Sequence, residues 1–273
     1  MTEPVETDVE PARRATFLRR FAQHIRRQDW FAVGIELLIV VLGVYLGLQV
    51  NTWAAAQADK RRGEVYVERL IADMESDLRN RRGMAAYYGD VYDSAERAYA
   101  LLEEPDADAR ELVISAYRAT EYNYAPPTTA TWDEIVSSGD LALLPRAAIE
   151  NGASAYFADD TARTSSEPLR DSYYRRRVRG LIPHDVQRAI RAGCSDVRDA
   201  QGQTTGFSQN CQLDLPPDRF EAAERALRSD PGVMTDLRYH FSGVWNARIN
   251  LEADVIFLEG ALMALRESQV GRR

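Results

Sequence analysis

Side chains able to do chemistry are few in this chain and widely spaced. The only cysteines, Cys194 and Cys211, bracket a stretch rich in Gly, Ser, Asp and Gln. Two thiols closing one polar loop point to a disulfide made in an oxidising compartment, where a loop of about 17 residues stabilises the fold by roughly 3 kcal/mol. Two unrelated thiols are the alternative reading. The three histidines, His24, His184 and His240, each lack a carboxylate three residues earlier, so the Glu-x-x-His of di-iron bundles is missing. His184 and His240 are not at zinc-ligand spacing. Neither H-E-x-x-H, nor G-x-S-x-G, nor a P-loop occurs. The expectation is therefore no catalytic residue, no metal site and no cofactor, in a chain that is not an enzyme.

Two other groups of residues bear on binding. Glu64, Glu68, Asp73, Glu75 and Asp77 interleave with Arg69, Arg79, Arg81 and Arg82, which reads as a solvated, salt-bridged helix face; a cation site is the alternative. Tyrosine is plentiful between Tyr87 and Tyr174, and buried Tyr at helix seams is ordinary core. If the domain has a ligand or partner surface, the sequence places it near Tyr124, Trp132 and Glu134, where the Pro126-Pro127 loop meets a short helix.

The elements that must position these residues are helical. Val67, Ile71, Met74, Leu78, Ala85, Tyr88, Tyr92, Ala95, Tyr99 and Leu102 follow steps of three and four, with Arg81 at a polar seam position. Leu237, Phe241, Val244, Leu251, Val255, Leu258, Leu262 and Leu265 repeat the arrangement, interrupted by Arg248. Antiparallel bundle helices are favoured over an intermolecular coiled coil, because the intervening helices need a surface to pack on. Glu104-Pro105-Asp106 ends one helix and Pro126-Pro127 the next. Thr131-Trp132-Asp133-Glu134 reads as a capping box before a short helix closed by Ser138-Gly139-Asp140, and the last long helix starts near Gly232. No alternating strand pattern of useful length appears. The predicted fold is all-α, with residues 54–273 forming one helical bundle domain.

Ahead of it, Phe31–Val50 is an apolar run of about 20 residues, the length that spans a bilayer core, with Trp30 and Trp53 at its ends. Residues 30–53 are therefore read as a single transmembrane helix in contact with membrane lipid. Glu36 lies inside the run: it either reaches back to the interface or packs in a helix–helix contact, since an ionised carboxylate in hydrocarbon costs about 2.5–3.5 kcal/mol. Gly43 and Gly47, four apart on one face, suit close helix pairing and suggest a homodimer. A cleaved signal peptide, with Ala56-Gln57-Ala58 as its site, is the rival reading; the roughly 30 residues before the run are too many for a typical n-region. Residues 1–29 form a tail whose Phe17, Leu18, Phe21, Ala22 and Ile25 recur at helical spacing among arginines, a basic amphipathic helix suited to an anionic inner leaflet.

Orientation follows from charge. Arg13, Arg14, Arg19, Arg20, Arg26 and Arg27 precede the span, against Lys60, Arg61, Arg62 and Arg69 after it, which favours a cytoplasmic N-terminus and a periplasmic C-terminal domain. The net charge of −8 lies wholly from Ala54 onward, so nucleic acid is not expected as a partner.

Two passages carry a resemblance. Gly43-Val44-Tyr45-Leu46-Gly47-Leu48-Gln49-Val50-Asn51-Thr52-Trp53, leading into a charged helix, and Thr131-Trp132-Asp133-Glu134-Ile135-Val136-Ser137-Ser138-Gly139-Asp140-Leu141 resemble segments of a bacterial family of single-pass membrane proteins with a C-terminal helical domain of unknown function. The resemblance implies a single-pass, helical protein of the bacterial inner membrane and brings no catalytic residues. The expected role is a membrane-anchored, non-enzymatic interaction or sensory module with an unidentified envelope protein partner. The alternative is a structural subunit of a larger envelope complex, and an envelope enzyme is the least favoured.

Overall fold

Trp30–Glu103 forms one α-helix of 74 residues (α1). The computed structural model describes residues 30–208 and 210–270; the tail helix expected within 1–29 lies outside the described residues. The chain divides into two compact units at Arg61/Arg62.

In the first unit, the apolar part of α1 is exposed throughout, and an 18-residue window of it reaches a mean hydropathy of 2.4 with none of it buried. By length and composition it can cross a membrane. Glu36 is exposed like its neighbours. A Cβ built on Gly43 or Gly47 meets nothing within 4 Å, so both glycines lie on an open face.

The second unit is an all-α bundle with one small hairpin. After α1 come α2 (Ala109–Arg118), α3 (Ala130–Ser138), α4 (Arg146–Ala148), α5 (Ser154–Ala158), α6 (Thr161–Ser166), α7 (Tyr173–Leu181) and α8 (His184–Gly193). The strands β1 (Asp196–Arg198) and β2 (Thr204–Phe207) follow, then α9 (Pro217–Ser229) and α10 (Pro231–Val270). The two long helices form the frame. Three apolar clusters divide them into layers: Val67, Leu70 and Met74 lie with Leu258, Leu262 and Leu265; Met84, Tyr88 and Val91 with Val244, Ala247 and Leu251; Ala95 and Ala98 with Val233 and Leu237. Layer order rises along α1 as it falls along α10, so the helices run antiparallel. Arg82 pairs with Glu259, and Arg266 with Glu75 at 2.6 Å, in the same register.

The buried stripe is offset from the one the spacing predicts. On α1 it runs Val67, Leu70, Met74, Asp77, Arg81, Met84, Tyr88, Val91, Ala95, Ala98, while Ile71, Leu78, Tyr92, Tyr99 and Leu102 flank it half-buried. On α10, His240, Ala247 and Asp254 occupy stripe positions, and Arg248 lies beside the seam, bonded to Glu252 at 2.9 Å. Polar and small residues at these positions are what an apolar pattern skips.

Local signals divide similarly. α2 opens on Asp108, whose carboxylate accepts from the Glu111 amide at 2.7 Å. It ends at Arg118, well before Pro126-Pro127, because Thr120 Oγ1 donates to the Tyr117 carbonyl at 2.6 Å and other elements bind the carbonyls of Ala119 and Thr120. The expected capping box at Thr131 does not form: α3 starts one residue earlier, and the buried Thr131 hydroxyl donates instead to Asp73 on α1. Gly139 closes α3 in the left-handed conformation, φ +76°. Between α4 and α5 a π-type turn, Ile149–Ala153, presses on α10: a Cβ on Gly152 (φ +142°) would stand 2.1 Å from the Phe257 carbonyl oxygen, and one on Gly260 2.3 Å from that of Asn151.

Cys194 and Cys211 are joined in a disulfide, with Cα atoms 4.6 Å apart. The loop they close contains the antiparallel β1–β2 pair. Its turn is made by Asp199, whose carboxylate accepts from the amides of Gln201 (2.9 Å) and Gln203 (2.8 Å).

Candidate functional site

Three arrangements of polar groups stand out in the bundle. The first is a buried layer between two apolar clusters. Arg81 Nε donates to Asp254 Oδ2 at 2.8 Å, and Nη1 to the Ala125 carbonyl at 2.8 Å. The guanidinium lies 5.6 Å from the Tyr124 ring centre and 5.8 Å from that of Tyr156. Asp77 accepts from Tyr156 Oη, Thr128 N and Thr128 Oγ1, each at 2.9 Å. Burial pushes the Asp254 carboxyl up to about 6, against the pull of Arg81, and raises the phenols of Tyr124 and Tyr156. Arg81 is paired with Asp254, and Asp77 is held by three neutral donors, so the layer ties the non-helical segment 119–129 to α1 and α10. Two of the carboxylates read as solvated helix face thus have structural partners: Asp77 is buried, and Asp73 holds Thr131.

The second arrangement is the surface expected from Tyr124, Trp132 and Glu134. The structure gives them separate settings. Tyr124 packs by Arg81 against the cluster of Met84 and Leu251. Trp132 stacks on Phe157 with ring centres 4.7 Å apart and planes at 13°, in the cluster of Val67 and Leu258. Glu134 is exposed and accepts from Arg69 at 2.7 Å. None of the three lines a cavity described below.

The third is a cavity of about 680 Å³ between α10 and the segment 164–174. Its walls carry hydroxyls, among them Thr164, Ser165, Ser172, Thr235 and Ser242, and the exposed rings of Tyr173 and Tyr239. His240 lines it too, while remaining 4% exposed. The ring packs against that of Tyr174, centres 5.0 Å apart and planes tilted by 32°, and Nε2 lies 2.8 Å from the Ala119 carbonyl oxygen. A carbonyl only accepts, so Nε2 carries the proton and Nδ1 a bare lone pair; that Nδ1 is buried without a partner. Burial lowers the imidazole pKa, which keeps it neutral. Leaving a buried acceptor unpaired costs about 1–3 kcal/mol. The cavity wall thus offers hydroxyl oxygens that accept, aromatic faces, one neutral imidazole acceptor and the ion-paired carboxylates of Asp171 and Asp236, which is recognition chemistry for a donor-rich polar molecule.

Sequence reasoning passed over His240 because it looked only for histidines with nearby ligands. The available signal was its place on the helical period of α10, three residues after Leu237 and four before Val244. Among the described residues no three His, Cys, Asp or Glu side chains gather as a metal site would require. No protein-family model matches the chain, and no match is found among curated proteins or solved structures.

Proposed function

We propose that this chain is a membrane-anchored, non-enzymatic interaction or sensory module. Residues 30–53 span the bacterial inner membrane, and the helical domain lies in the periplasm. The observation that carries the binding role is His240, a neutral, buried imidazole with an unpaired nitrogen in the wall of a hydroxyl-lined cavity. Binding rather than turnover is favoured because the most deeply buried charges are held structurally, Arg81 with Asp254 and Asp77 by the neutral donors of Tyr156 and Thr128. The exposed apolar helix supports the anchor, the arginine excess before it supports the orientation, and the disulfide supports an oxidising compartment for the domain.

The test is native mass spectrometry of the full-length protein purified from membranes. A small molecule should accompany the wild-type chain and be lost from Ser242→Trp, which fills the cavity from an exposed wall position. Identical spectra from the two proteins, neither with added mass, would defeat this reading.

A second reading, a subunit of a larger envelope complex, is favoured by one feature. Ile249, Ile256, Met263 and Val270 repeat every seven residues along α10 and are all exposed, an unpartnered apolar row on a helix whose other face is core. Loss of a high-mass assembly from detergent extracts of Glu36→Leu, with the domain still folded, would support it.

A further inference from the structure

A separate cavity, about 360 Å³, lies beneath the disulfide-closed loop. Its walls are contributed by the end of α2 (Tyr117, Arg118), the end of α8 (Arg191, Cys194) and β1 (Asp196, Arg198). Three arginines therefore face one small space in a chain whose net charge is −8.

The cations are incompletely matched. Arg118 gives one nitrogen, Nη2, to the Ser208 carbonyl, and its guanidinium rests over the Phe207 ring at 5.2 Å. Its Nε is buried without an acceptor, and no carboxylate lies within ion-pair distance among the described residues. Arg191 makes neither hydrogen bond nor ion pair among the described residues. Two carboxylates share the walls, neither in direct ion-pair contact with Arg118. Glu121 is held by Arg179 at 3.0 Å, and Asp196 reaches only Arg198, at 3.9 Å. The Tyr117 hydroxyl is a further buried donor without a partner. A half-buried guanidinium over an aromatic ring, with a buried Nε lacking an acceptor and with Asp90, Glu121 and Asp196 near it but none in direct ion-pair contact, is an arrangement that recognises planar or tetrahedral oxyanions.

We propose that this cavity binds a small oxyanion, a carboxylate or phosphate group, through Arg118 and Arg191, with the disulfide-closed loop as its roof. Cys194 stands in the wall, so the bridge holds α8 and the roof in their binding positions. The site shares no lining residue with the His240 cavity, and the two readings stand or fall separately.

The test is isothermal titration of the full-length protein in neutral detergent at constant ionic strength. The probes are inorganic phosphate, succinate and short-chain phosphatidylglycerol. Saturable binding of at least one probe is expected, weakened tenfold or more by Arg191→Gln, an exposed change that leaves the melting temperature of the free protein unaltered. Arg118→Gln should weaken binding as much, and reduction of the disulfide should also lower affinity. Phosphate or succinate binding would make the natural ligand a solute anion; binding of the lipid alone would make it a phosphodiester headgroup. No saturable binding of any probe, or equal binding by wild type and Arg191→Gln, would overturn the proposal.

Discussion

Arg81 and Asp254, 173 residues apart in sequence, meet at 2.8 Å in the centre of the bundle with almost no solvent contact. Two long helices could slide by a turn at small apolar cost, but a slide would strand both charges. The pair therefore fixes the register of α1 against α10. Burying two charges is expensive, and the pair repays that cost only while both members are present. Arg81→Met alone should destabilise the domain by about 3–5 kcal/mol, whereas Arg81→Met with Asp254→Leu should restore most of it. Urea unfolding of both variants checks this; equal losses would show that the pair does not act as a unit.

The same carboxyl predicts a pH dependence. Its folded value, about 6, stands above the ordinary carboxyl value of 3.8. The folded state then holds the proton more tightly than the unfolded one, so this group's contribution is fully present below pH 4 and lost as pH rises through 6. Asp254→Asn removes the titration. The stability of wild type relative to Asp254→Asn should thus be greater at pH 4.5 than at pH 7.5; the opposite slope would reverse the assignment of desolvation as the larger cause.

Gly152 tests the packing of the π-type turn on α10. A methyl group there would stand 2.1 Å from the Phe257 carbonyl oxygen, at a φ that side chains rarely adopt. Gly152→Ala should cost at least about 2–3 kcal/mol, by combined strain and overpacking. Gly139→Ala, which meets no neighbour, should cost only the left-handed strain of about 1 kcal/mol. Thermal melts of the two variants should therefore separate clearly, and coincident melts would contradict the close approach.

Much of this architecture was legible in the sequence. The apolar run, the two long helices and most helix ends follow from periodicity and from Gly or Pro at the boundaries, although the buried stripe on α1 is offset from the apolar spacing. What escaped was polar. Asp77, His240 and Asp254 sit on buried stripes, but only burial reveals which polar residues belong to a stripe and which to the surface; Arg81 was legible as a seam position from its spacing. The hairpin escaped because strands of three and four residues are too short to show alternation, and they are held by a disulfide, an Asp199 turn and the burial of Phe207 against α1. Thr131 carried a correct capping motif whose hydroxyl was taken by Asp73 on a distant part of the chain, a contact no local pattern contains. The cavity residues come from three or more elements, so no spacing could have assembled them.

For the span, the glycine face makes a definite prediction. Gly43 and Gly47 are open to approach by another helix. Gly43→Ile with Gly47→Ile should abolish cross-linked dimers in membranes without changing the melting temperature of the domain. Dimers that persist would move the contact elsewhere.

In the function proposed, one helix anchors a domain that faces the periplasm. The most direct measurement is maleimide-polyethylene-glycol labelling of Cys194 and Cys211 in intact cells, before and after a membrane-impermeant reductant. Labelling of both cysteines only after that reductant is expected if the disulfide-bonded pair lies in the periplasm as proposed. Labelling that requires lysis and needs no reductant would place the domain in the cytoplasm with free thiols and contradict it.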